Sequence, residues 1–395
     1  MGASPAIEPP AVIGILGGGQ LGRMLGSAAR AMGYRLAILD PDPACPAAAI
    51  ADHVIVASYD DVEAAMRLAD VSAVVTYELE HVAAEVVEAL EARVPVRPGR
   101  KPLLVTQDRL TERRFVEREG VAVAPWREVH TVAEARSAAA ELGLPLRLKV
   151  PIGGYDGRGQ LRILDAADLD DAWGRLGQAP DGPLLAEREI EFAAELSVIV
   201  ARAADGSIAT LPIGWNVHDA GILVETVVPA PVGLDVAALA FATGGALAAA
   251  MDLCGTLTVE LFLLGDASLV VNELAPRVHN SGHWTIEGAT TSQFEQHIRA
   301  ICGLGLGSPA GHGPAAMVNI LGAGPRRDAR LLGVAAALAD PDVHLHLYDK
   351  RQVFERRKMG HLTALGDDVD EALRTARGAL AALRWDDDTT MEDDR

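Results

Sequence analysis

Two carboxylates on neighbouring strand-like segments are the residues of this sequence best placed for chemistry. Glu260 and Glu273 lie in two apolar runs that are joined by the turn-forming pair Gly265-Asp266. Antiparallel pairing of these runs would bring the two carboxylates together, and their repulsion favours a cation between them. Oxygen ligands of this kind suit Mg²⁺ that carries nucleotide phosphates. The alternative is an ordinary hairpin with two solvated glutamates, and the hairpin alone does not decide between the two.

A dense polar segment surrounds and follows the second carboxylate. Its members are Asn272, Arg277, His279, Asn280, Ser281 and His283. A core hairpin does not need so many hydrogen-bonding side chains, and polar clusters at strand ends often form sites. The segment is therefore a candidate functional site.

The N-terminal hundred residues alternate strand-like and helix-like segments, which predicts an open parallel sheet. Strands are predicted at 11–16 and 35–40, with a helix at 23–32. The turn GGGQLG (17–22) fits the dinucleotide fingerprint, and Asp40 lies where a ribose-binding acid is found. Taken alone, this predicts an NAD(P)-dependent oxidoreductase. The same glycine geometry holds other phosphates equally well, so the cofactor stays open on this evidence.

Composition narrows the classes of partner. The chain has 395 residues and a formal charge of −20, which disfavours nucleic acid and anionic membranes as partners. No apolar run reaches membrane-spanning length, and the start MGASPAIEPP lacks the features of a signal peptide. Cys45, Cys254 and Cys302 are too scattered for a disulfide framework or a metal site, so a reducing cytoplasm is expected.

Seven motifs together resemble one known family. In chain order they are GILGGGQLGRM (14–24), TYELEHV (76–82), QDRLTERRF (107–115), GGYDGRGQ (153–160), NVHDAGIL (216–223), NELAPRVHNSGHWTIEGATTSQFEQHIRA (272–300) and RRKMGHLT (356–363). Their order and spacing resemble those of the N5-carboxyaminoimidazole ribonucleotide synthetases, which are ATP-grasp enzymes of purine biosynthesis. The motifs span almost the whole chain.

The resemblance implies a mixed α/β and α+β protein with the ATP-grasp fold. Residues 1–102 would form an N-terminal, Rossmann-like open parallel-sheet domain that precedes the ATP-grasp. Residues 103–305 would form the ATP-grasp domain, with a glycine-rich lid near 150–160, and residues 306–385 a small C-terminal domain. The acidic tail 386–395 is predicted to be disordered.

By resemblance, ATP would bind in the central domain. Arg109 and Lys149 would meet the phosphates, the segment 187–190 the adenine edge and Glu195 the ribose hydroxyls. The implied ATP-binding residues are Arg109, Lys149, Gly154, Gly157, Gly159, Gln160, Glu187, Arg188, Glu189, Ile190, Glu195, His218, Asn272 and Glu273. Glu260 and Glu273 are the implied ligands of Mg²⁺, for which Mn²⁺ is the expected substitute.

The resemblance also implies an acceptor site between the terminal regions. The implied ribonucleotide-binding residues are Gln20, Leu21, Glu78, Glu80, Lys350, Arg357 and Lys358. The implied catalytic residues are Tyr155, Asp156, Arg158, Arg277, His279, Asn280 and Lys350. An acidic protein needs a local cluster of basic residues to hold a phosphate, which the C-terminal lysines and arginine supply.

The implied reaction is the ATP-dependent carboxylation of 5-aminoimidazole ribonucleotide by bicarbonate, through carboxyphosphate or the CO₂ that it releases. No biotin is expected, because no attachment motif is visible, and a homodimer is implied. The sequence departs from the family pattern at Pro151, Trp215, Ala275 and Phe354. The changes at Pro151, Trp215 and Phe354 leave open a non-catalytic ATP-binding protein, and a different ATP-grasp carboxylate-amine ligase is a further alternative within the fold.

Overall fold

The N-terminal region contains the open parallel sheet that the sequence predicts. The structure, a computed structural model, describes residues 5–154, 159–176 and 182–386. The first elements are β1 (Val12–Leu16), α1 (Gln20–Ala31), β2 (Arg35–Asp40), β3 (His53–Val56), α2 (Val62–Val71), β4 (Val74–Tyr77), α3 (Ala84–Glu91), α4 (Arg100–Gln107) and α5 (Arg109–Arg118). The four strands are parallel in the order β3-β2-β1-β4. β1 and β2 are almost wholly apolar and buried, as strands covered on both faces must be.

Two successive helices, α4 and α5, occupy residues 100–107 and 109–118. They meet at Asp108, whose carboxylate accepts hydrogen bonds from the backbone nitrogens of Leu110 (2.8 Å) and Thr111 (3.0 Å). Asp108 therefore caps α5, while the chain before it is already helical from Arg100. α5 ends just before Gly120, which has a positive φ of 74°.

Two antiparallel sheets form the central region. Its elements are β5 (Trp126–Val129), α6 (Val132–Leu142), β6 (Leu146–Lys149), β7 (Gln160–Ile163), α7 (Leu169–Leu176), β8 (Leu184–Arg188), β9 (Ala194–Arg202), β10 (Ile208–Thr210), β11 (Gly214–Asp219), β12 (Ile222–Val228), α8 (Leu234–Ala250), β13 (Gly255–Leu263), β14 (Leu269–Ala275), α9 (Thr285–Gly288) and α10 (Gln293–Ile301). The smaller sheet has the order β5-β8-β6-β7. The glycine-rich segment connects β6 to β7, and its residues 155–158 lie outside the described residues.

The C-terminal strands continue the larger sheet of the central region. The elements are β15 (Ala315–Leu321), β16 (Arg327–Asp328), β17 (Leu331–Leu332), α11 (Val334–Ala337), β18 (Val343–Leu347), β19 (Gln352–Val353), β20 (Lys358–Leu365), α12 (Val369–Ala381) and β21 (Arg384–Trp385). The larger sheet runs β14-β13-β9-β11-β12-β15-β20-β18, with β10 paired to β9. α12 packs on β15 and β20, where its buried alanines meet the apolar face of the sheet. The C-terminal region thus shares one sheet with the central region.

The described helices, the three cysteines and the C-terminal end of the chain each bear on an expectation from the sequence. None of the helices in 5–154, 159–176 and 182–386 has both the length and the apolar character needed to cross a bilayer. Cys45, Cys254 and Cys302 are buried, unpaired thiols. Residues 387–395 of the tail lie outside the described residues, whereas Asp386 accepts a 2.8 Å hydrogen bond from the backbone nitrogen of Arg330.

A buried histidine joins the parallel sheet to the larger sheet. Nε2 of His297 on α10 lies 2.8 Å from the hydroxyl of Thr76 on β4, and Nδ1 lies 2.9 Å from the hydroxyl of Thr256 on β13. All three side chains are fully buried. Burial lowers the pKa of His297 to about 3, so the ring is neutral in the folded protein.

We expect His297→Leu to destabilise the fold by about 1–3 kcal/mol near neutral pH, because two buried hydroxyls lose their partner. In the unfolded chain the ring takes up a proton near its ordinary pKa of about 6.5, so wild-type stability falls as pH drops from there toward about 3. The variant lacks this proton uptake. Urea unfolding at about pH 7.5 and about pH 5 should therefore show a smaller cost of the substitution at the lower pH.

The exposed His53, substituted in the same way, is the matched control for that measurement. A cost of His297→Leu that is equal at both pH values would contradict the assignment of a buried neutral ring.

Candidate active site

The two glutamates of the hairpin face each other. Glu260 on β13 and Glu273 on β14 are direct partners in the antiparallel register, which confirms the predicted pairing. A β-bulge follows immediately, so Asn272 and Glu273 together lie opposite Glu260. The amide nitrogen of Asn272 is 3.5 Å from Oε2 of Glu260. Burial and the charge of Glu273 raise the pKa of Glu260 to about 7, which identifies a site that favours positive charge.

The pair can supply only part of a metal's ligand shell. Within the described parts of the chain there is no group of three or more histidine, cysteine, aspartate or glutamate side chains arranged to hold a metal ion. Hard carboxylate oxygens nevertheless fit Mg²⁺, which commonly takes one or two protein carboxylates and completes its shell with phosphates and water. Glu260 and Glu273 therefore suit a cation that arrives with a nucleotide.

Arg109 lies between the carboxylate pair and the start of the glycine-rich segment. Its Nη1 is 3.9 Å from Oε2 of Glu273, and its Nη2 donates a 3.1 Å hydrogen bond to the carbonyl of Gly154. Its backbone nitrogen donates to the carbonyl of Pro151 at 3.0 Å. Arg109 thereby brings a guanidinium to the start of the glycine-rich segment.

Lys149 has a protein carboxylate as its partner. Its Nζ donates to Glu187, and Glu187 also accepts a 2.7 Å hydrogen bond from Nε of Arg113. All three side chains are buried. Although burial opposes its charged form, Arg113 and Lys149 lower the pKa of Glu187 to about 2. The phosphate role of Lys149 stays a prediction, and Glu187 has only its backbone to offer an adenine edge.

The other predicted nucleotide residues lie on or beside β7, β8, β9 and β11. Nδ1 of His218 is 2.8 Å from Oε2 of Glu195. Burial opposes protonation of His218, but the carboxylates of Glu195 and Glu260 raise its pKa overall. His218 is therefore close enough to the carboxylate pair to feel the charge of Glu260. Glu189 forms ion pairs with Arg147 and Arg162. Of the remaining members, Gly154 and Gly159 flank residues 155–158, Gln160 pairs with Lys149 in the β6–β7 register, Arg188 is exposed and Ile190 is half-buried.

The N-terminal glycine turn is occupied by a carboxylate of the protein itself. Glu78 accepts hydrogen bonds from the backbone nitrogens of Gly19 and Gly22, the groups that would otherwise hold a phosphate. Asp40 accepts from the backbone nitrogen of Gly18 at 2.7 Å and from the hydroxyl of Tyr59 at 2.8 Å. Asp40, the acid of the expected dinucleotide site, therefore has internal structural partners, and Glu78 occupies the amides of the turn.

An ion pair connects the polar segment after β14 to the N-terminal region. Nε of Arg277 is 2.8 Å from Oε1 of Glu80. Asn280 is buried, and its amide exchanges two hydrogen bonds, of 3.0 and 2.8 Å, with the amide of Asn319 on β15. Nε2 of His279 lies 3.7 Å from Oε1 of Glu260. His279 thus adjoins the carboxylate pair, Arg277 interacts electrostatically with Glu273, and the amide of Asn280 is already engaged.

The terminal regions meet at Lys350. Its Nζ donates to Oε1 of Gln20 at 2.7 Å and to the carbonyl of Lys358 at 2.6 Å. Leu21, the neighbour of Gln20, is buried. An adjoining cavity of about 340 Å³ is lined by both acidic and basic side chains, including Arg357. The structure therefore brings together predicted ribonucleotide residues that are 330 positions apart.

Some residues of the site were not predicted from the sequence. Arg113 and Glu112 are fully buried beside Glu187, yet in the sequence they belong to a charged helix whose exposed and buried faces look alike. Asn319 is the one polar residue of an otherwise apolar strand, and this position was the feature of the sequence that could have indicated its role. The predicted catalytic residues Tyr155, Asp156 and Arg158, and the predicted ATP-binding Gly157, lie outside the described residues.

Fold and site together define an ATP-grasp enzyme with flanking N- and C-terminal regions. Family models match three successive segments of the chain: the ribonucleotide synthetase preATP-grasp domain (11–107), the ATP-grasp domain (114–294) and the phosphoribosylaminoimidazole carboxylase C-terminal domain (315–375). The N5-carboxyaminoimidazole ribonucleotide synthase of Bacillus subtilis is 42% identical, over 92% of this chain and 94% of its own. That of Pseudomonas aeruginosa is 43% identical, over 89% and 93%.

Solved structures agree with these sequence relatives. An N5-carboxyaminoimidazole ribonucleotide synthetase in complex with ADP has 41% identity and a TM-score of 0.88, covering 96% of this chain and 98% of its own. The Aspergillus clavatus enzyme in complex with ADP and 5-aminoimidazole ribonucleotide has 32% identity and a TM-score of 0.85, covering 94% and 98%. The chain belongs to the N5-carboxyaminoimidazole ribonucleotide synthase family of ATP-dependent ligases. The oxidoreductase alternative is wrong.

Proposed function

We propose that the protein carboxylates 5-aminoimidazole ribonucleotide with bicarbonate and ATP, giving N5-carboxyaminoimidazole ribonucleotide, ADP and phosphate. The observation that carries the proposal is the position of the facing pair Glu260 and Glu273. Arg277, four residues after Glu273, is bound to Glu80 of the N-terminal region. A phosphoryl-transfer centre thus adjoins the region expected to hold the amine acceptor.

Glu260 and Glu273, with Asn272 beside them, would hold Mg²⁺, and Mn²⁺ is the expected substitute. The cation would neutralise phosphate charge during transfer. Arg109 adds a fixed guanidinium next to Glu273. Lys149 would turn from Glu187 toward the nucleotide phosphates.

The rest of the nucleotide would lie along β8 and β9. Backbone groups of 187–190 would meet the adenine edge, and Glu195 would accept hydrogen bonds from the ribose hydroxyls. The lid proposed near 150–160, of which residues 155–158 lie outside the described residues, would exclude water from an unstable acyl phosphate.

Bicarbonate oxygen would attack the γ-phosphorus, so that ADP leaves and carboxyphosphate forms. The exocyclic amine then attacks the carboxyl carbon of carboxyphosphate, or the carbon of the CO₂ that carboxyphosphate releases. Phosphate leaves, and the amine loses a proton. Arg277 and His279 would surround these anions, because His279 lies beside Glu260 and Arg277 interacts electrostatically with Glu273. Burial and the charge of Arg277 hold the pKa of His279 well below its usual range, so its ring is neutral at neutral pH.

Gln20, Glu80 and the basic group of Lys350, Arg357 and Lys358 would hold the ribonucleotide. Glu78 would act indirectly, since its carboxylate fixes the glycine turn that carries Gln20. We further propose a cytoplasmic location, because phosphorylated substrates and buried free thiols both fit a reducing compartment. A homodimer is proposed from the family resemblance.

The decisive assay measures phosphate release from ATP with bicarbonate, with and without 5-aminoimidazole ribonucleotide. We expect the ribonucleotide to accelerate release and the carboxylated product to accumulate in proportion to phosphate. A matched titration with NADH should show no saturable binding, because Glu78 occupies the turn amides. Phosphate release that responds to another amine, and not to this ribonucleotide, would instead assign a different carboxylate-amine ligase.

A further inference from the structure

A buried glutamine on α10 forms two hydrogen bonds with the backbone of His279. Oε1 of Gln293 accepts a 2.9 Å hydrogen bond from the backbone nitrogen of His279, and its Nε2 donates a 2.7 Å hydrogen bond to the carbonyl of the same residue. The second Nε2 hydrogen points to Nδ1 of His283 at 3.3 Å. Gln293 is fully buried. The two bonds to one residue also fix which end of the amide is oxygen.

The position of the His279 backbone also determines the orientation and the tautomer of its imidazole. The backbone nitrogen of Ser281 donates to Nδ1 of His279 at 3.3 Å, and the hydroxyl of Ser281 lies 2.9 Å from the same atom. A backbone N–H can only donate, so Nδ1 is an acceptor and the ring proton is on Nε2. Nε2 is the atom that lies 3.7 Å from Glu260. The N–H of the ring therefore faces the carboxylate pair only while the backbone of His279 keeps this position.

The packing around Gln293 leaves its amide no other position. A Cβ added at Gly282 would lie 2.5 Å from Oε1 of Gln293, so the turn needs a glycine there to admit the amide. The backbone nitrogen of Gln293 donates to the hydroxyl of Thr285 at 3.0 Å, which ties the first residue of α10 to the same turn. The side-chain amide and the backbone of Gln293 are thereby both held against this turn.

We propose that Gln293 is a positioning residue of the reaction, which aims the Nε2–H of His279 at the reacting groups beside Glu260. Gln293 touches no reacting atom itself; it acts through His279. The inference rests on the proposed function, because it gives His279 a place beside the transferred groups. Metal-site and catalytic side chains commonly lose about 10–100-fold in activity when such a supporting contact is removed.

The same helix supplies a matched control. Gln296, also fully buried, makes an equivalent pair of hydrogen bonds to the backbone of Gly307, at 2.8 and 2.9 Å. Gly307 lies in the loop after α10 rather than in the polar segment after β14. Substituting Gln296 therefore removes the same two kinds of bond from the same helix without touching His279.

The experiment compares Gln293→Leu with Gln296→Leu in the full-length chain. We expect similar decreases in thermal midpoint for the two variants, whereas kcat falls about tenfold or more only in Gln293→Leu. The KM for ATP should stay within about twofold, since the nucleotide residues are not moved. Gln293→Glu, which keeps an acceptor for the His279 nitrogen but loses the donor, should fold better and still lower kcat. Equal kcat in all variants would overturn the proposal.

A spectroscopic measurement separates this inference from the proposed function. In ¹⁵N spectra of histidine-labelled protein, assigned with His279→Gln, wild-type His279 should give the Nε2–H tautomer signature, and Gln293→Glu should change it. That readout needs no turnover. A wild type that fails to carboxylate the ribonucleotide would sink the proposed function while leaving the tautomer shift intact. An unchanged His279 signature in Gln293→Glu would overturn the positioning role even in an active enzyme.

Discussion

Glu273→Gln is expected to lower Mg²⁺-dependent ATP turnover by about a hundredfold or more. Glu273 and Glu260 are register partners, so removing one negative charge removes half of the protein's charge toward the cation. The substitution keeps the shape of the side chain, and Glu273 is partly exposed with a side-chain exposure of 46%, so the fold should persist. Turnover with saturating ATP and bicarbonate, titrated with Mg²⁺, measures the effect.

The control is Glu117→Gln, which makes the same chemical change at an exposed position of α5. It should retain wild-type turnover and wild-type Mg²⁺ dependence. If a folded Glu273→Gln protein turned over ATP at a near-normal rate with an unchanged Mg²⁺ requirement, Glu273 would have no part in the mechanism.

The facing glutamates were predictable because local rules determine a hairpin. Two apolar runs joined by a Gly-Asp turn can pair in few registers, and the observed register joins Glu260 to Glu273. The β-bulge that brings Asn272 to the same side was not predictable. It adds one unpaired residue to β14, and the sequence has no glycine or other local signal at that position.

The glycine turn shows the opposite case. The sequence correctly indicates a tight strand-to-helix turn, since a Cβ at Gly22 would lie 2.5 Å from the carbonyl of Gly17. It cannot indicate what occupies the turn. Glu78 reaches it from a strand that lies 56 residues further along the chain, and only the parallel order of β1 and β4 brings the two together. Long-range pairing of this kind also explains why the C-terminal strands join the central sheet, because β15 pairs with β12.

The partners of the buried charged side chains were likewise not predictable from the sequence. An apolar strand with one lysine predicts that Lys149 needs a negative partner, and a phosphate and a carboxylate satisfy that need equally well. The structure supplies Glu187, which is shared with Arg113 of α5. Three buried charges from three elements must pack together to be tolerated, and that arrangement is set by tertiary contacts rather than by local pattern.

Lys350→Ala is expected to raise the KM for 5-aminoimidazole ribonucleotide about tenfold or more, while the KM for ATP changes little. The ammonium of Lys350 lies where the terminal regions meet, 2.7 Å from Oε1 of Gln20 on the glycine turn. A ribonucleotide phosphate needs positive charge in a chain whose formal charge is −20. Loss of one charge-assisted contact, worth about 1.5–3 kcal/mol, corresponds to a change of this size.

ATP should be spared because its proposed partners, Arg109 and Lys149, lie on separate elements of the central region. Arg374→Ala on the exposed face of α12 removes a positive charge from the same C-terminal region and should leave both KM values unchanged. Lys350 also links two regions, so thermal unfolding must accompany the kinetics. Equal increases in both KM values would assign Lys350 to the fold or to the nucleotide. Unchanged KM values in a folded variant would mean that its ammonium serves only the contact with Gln20.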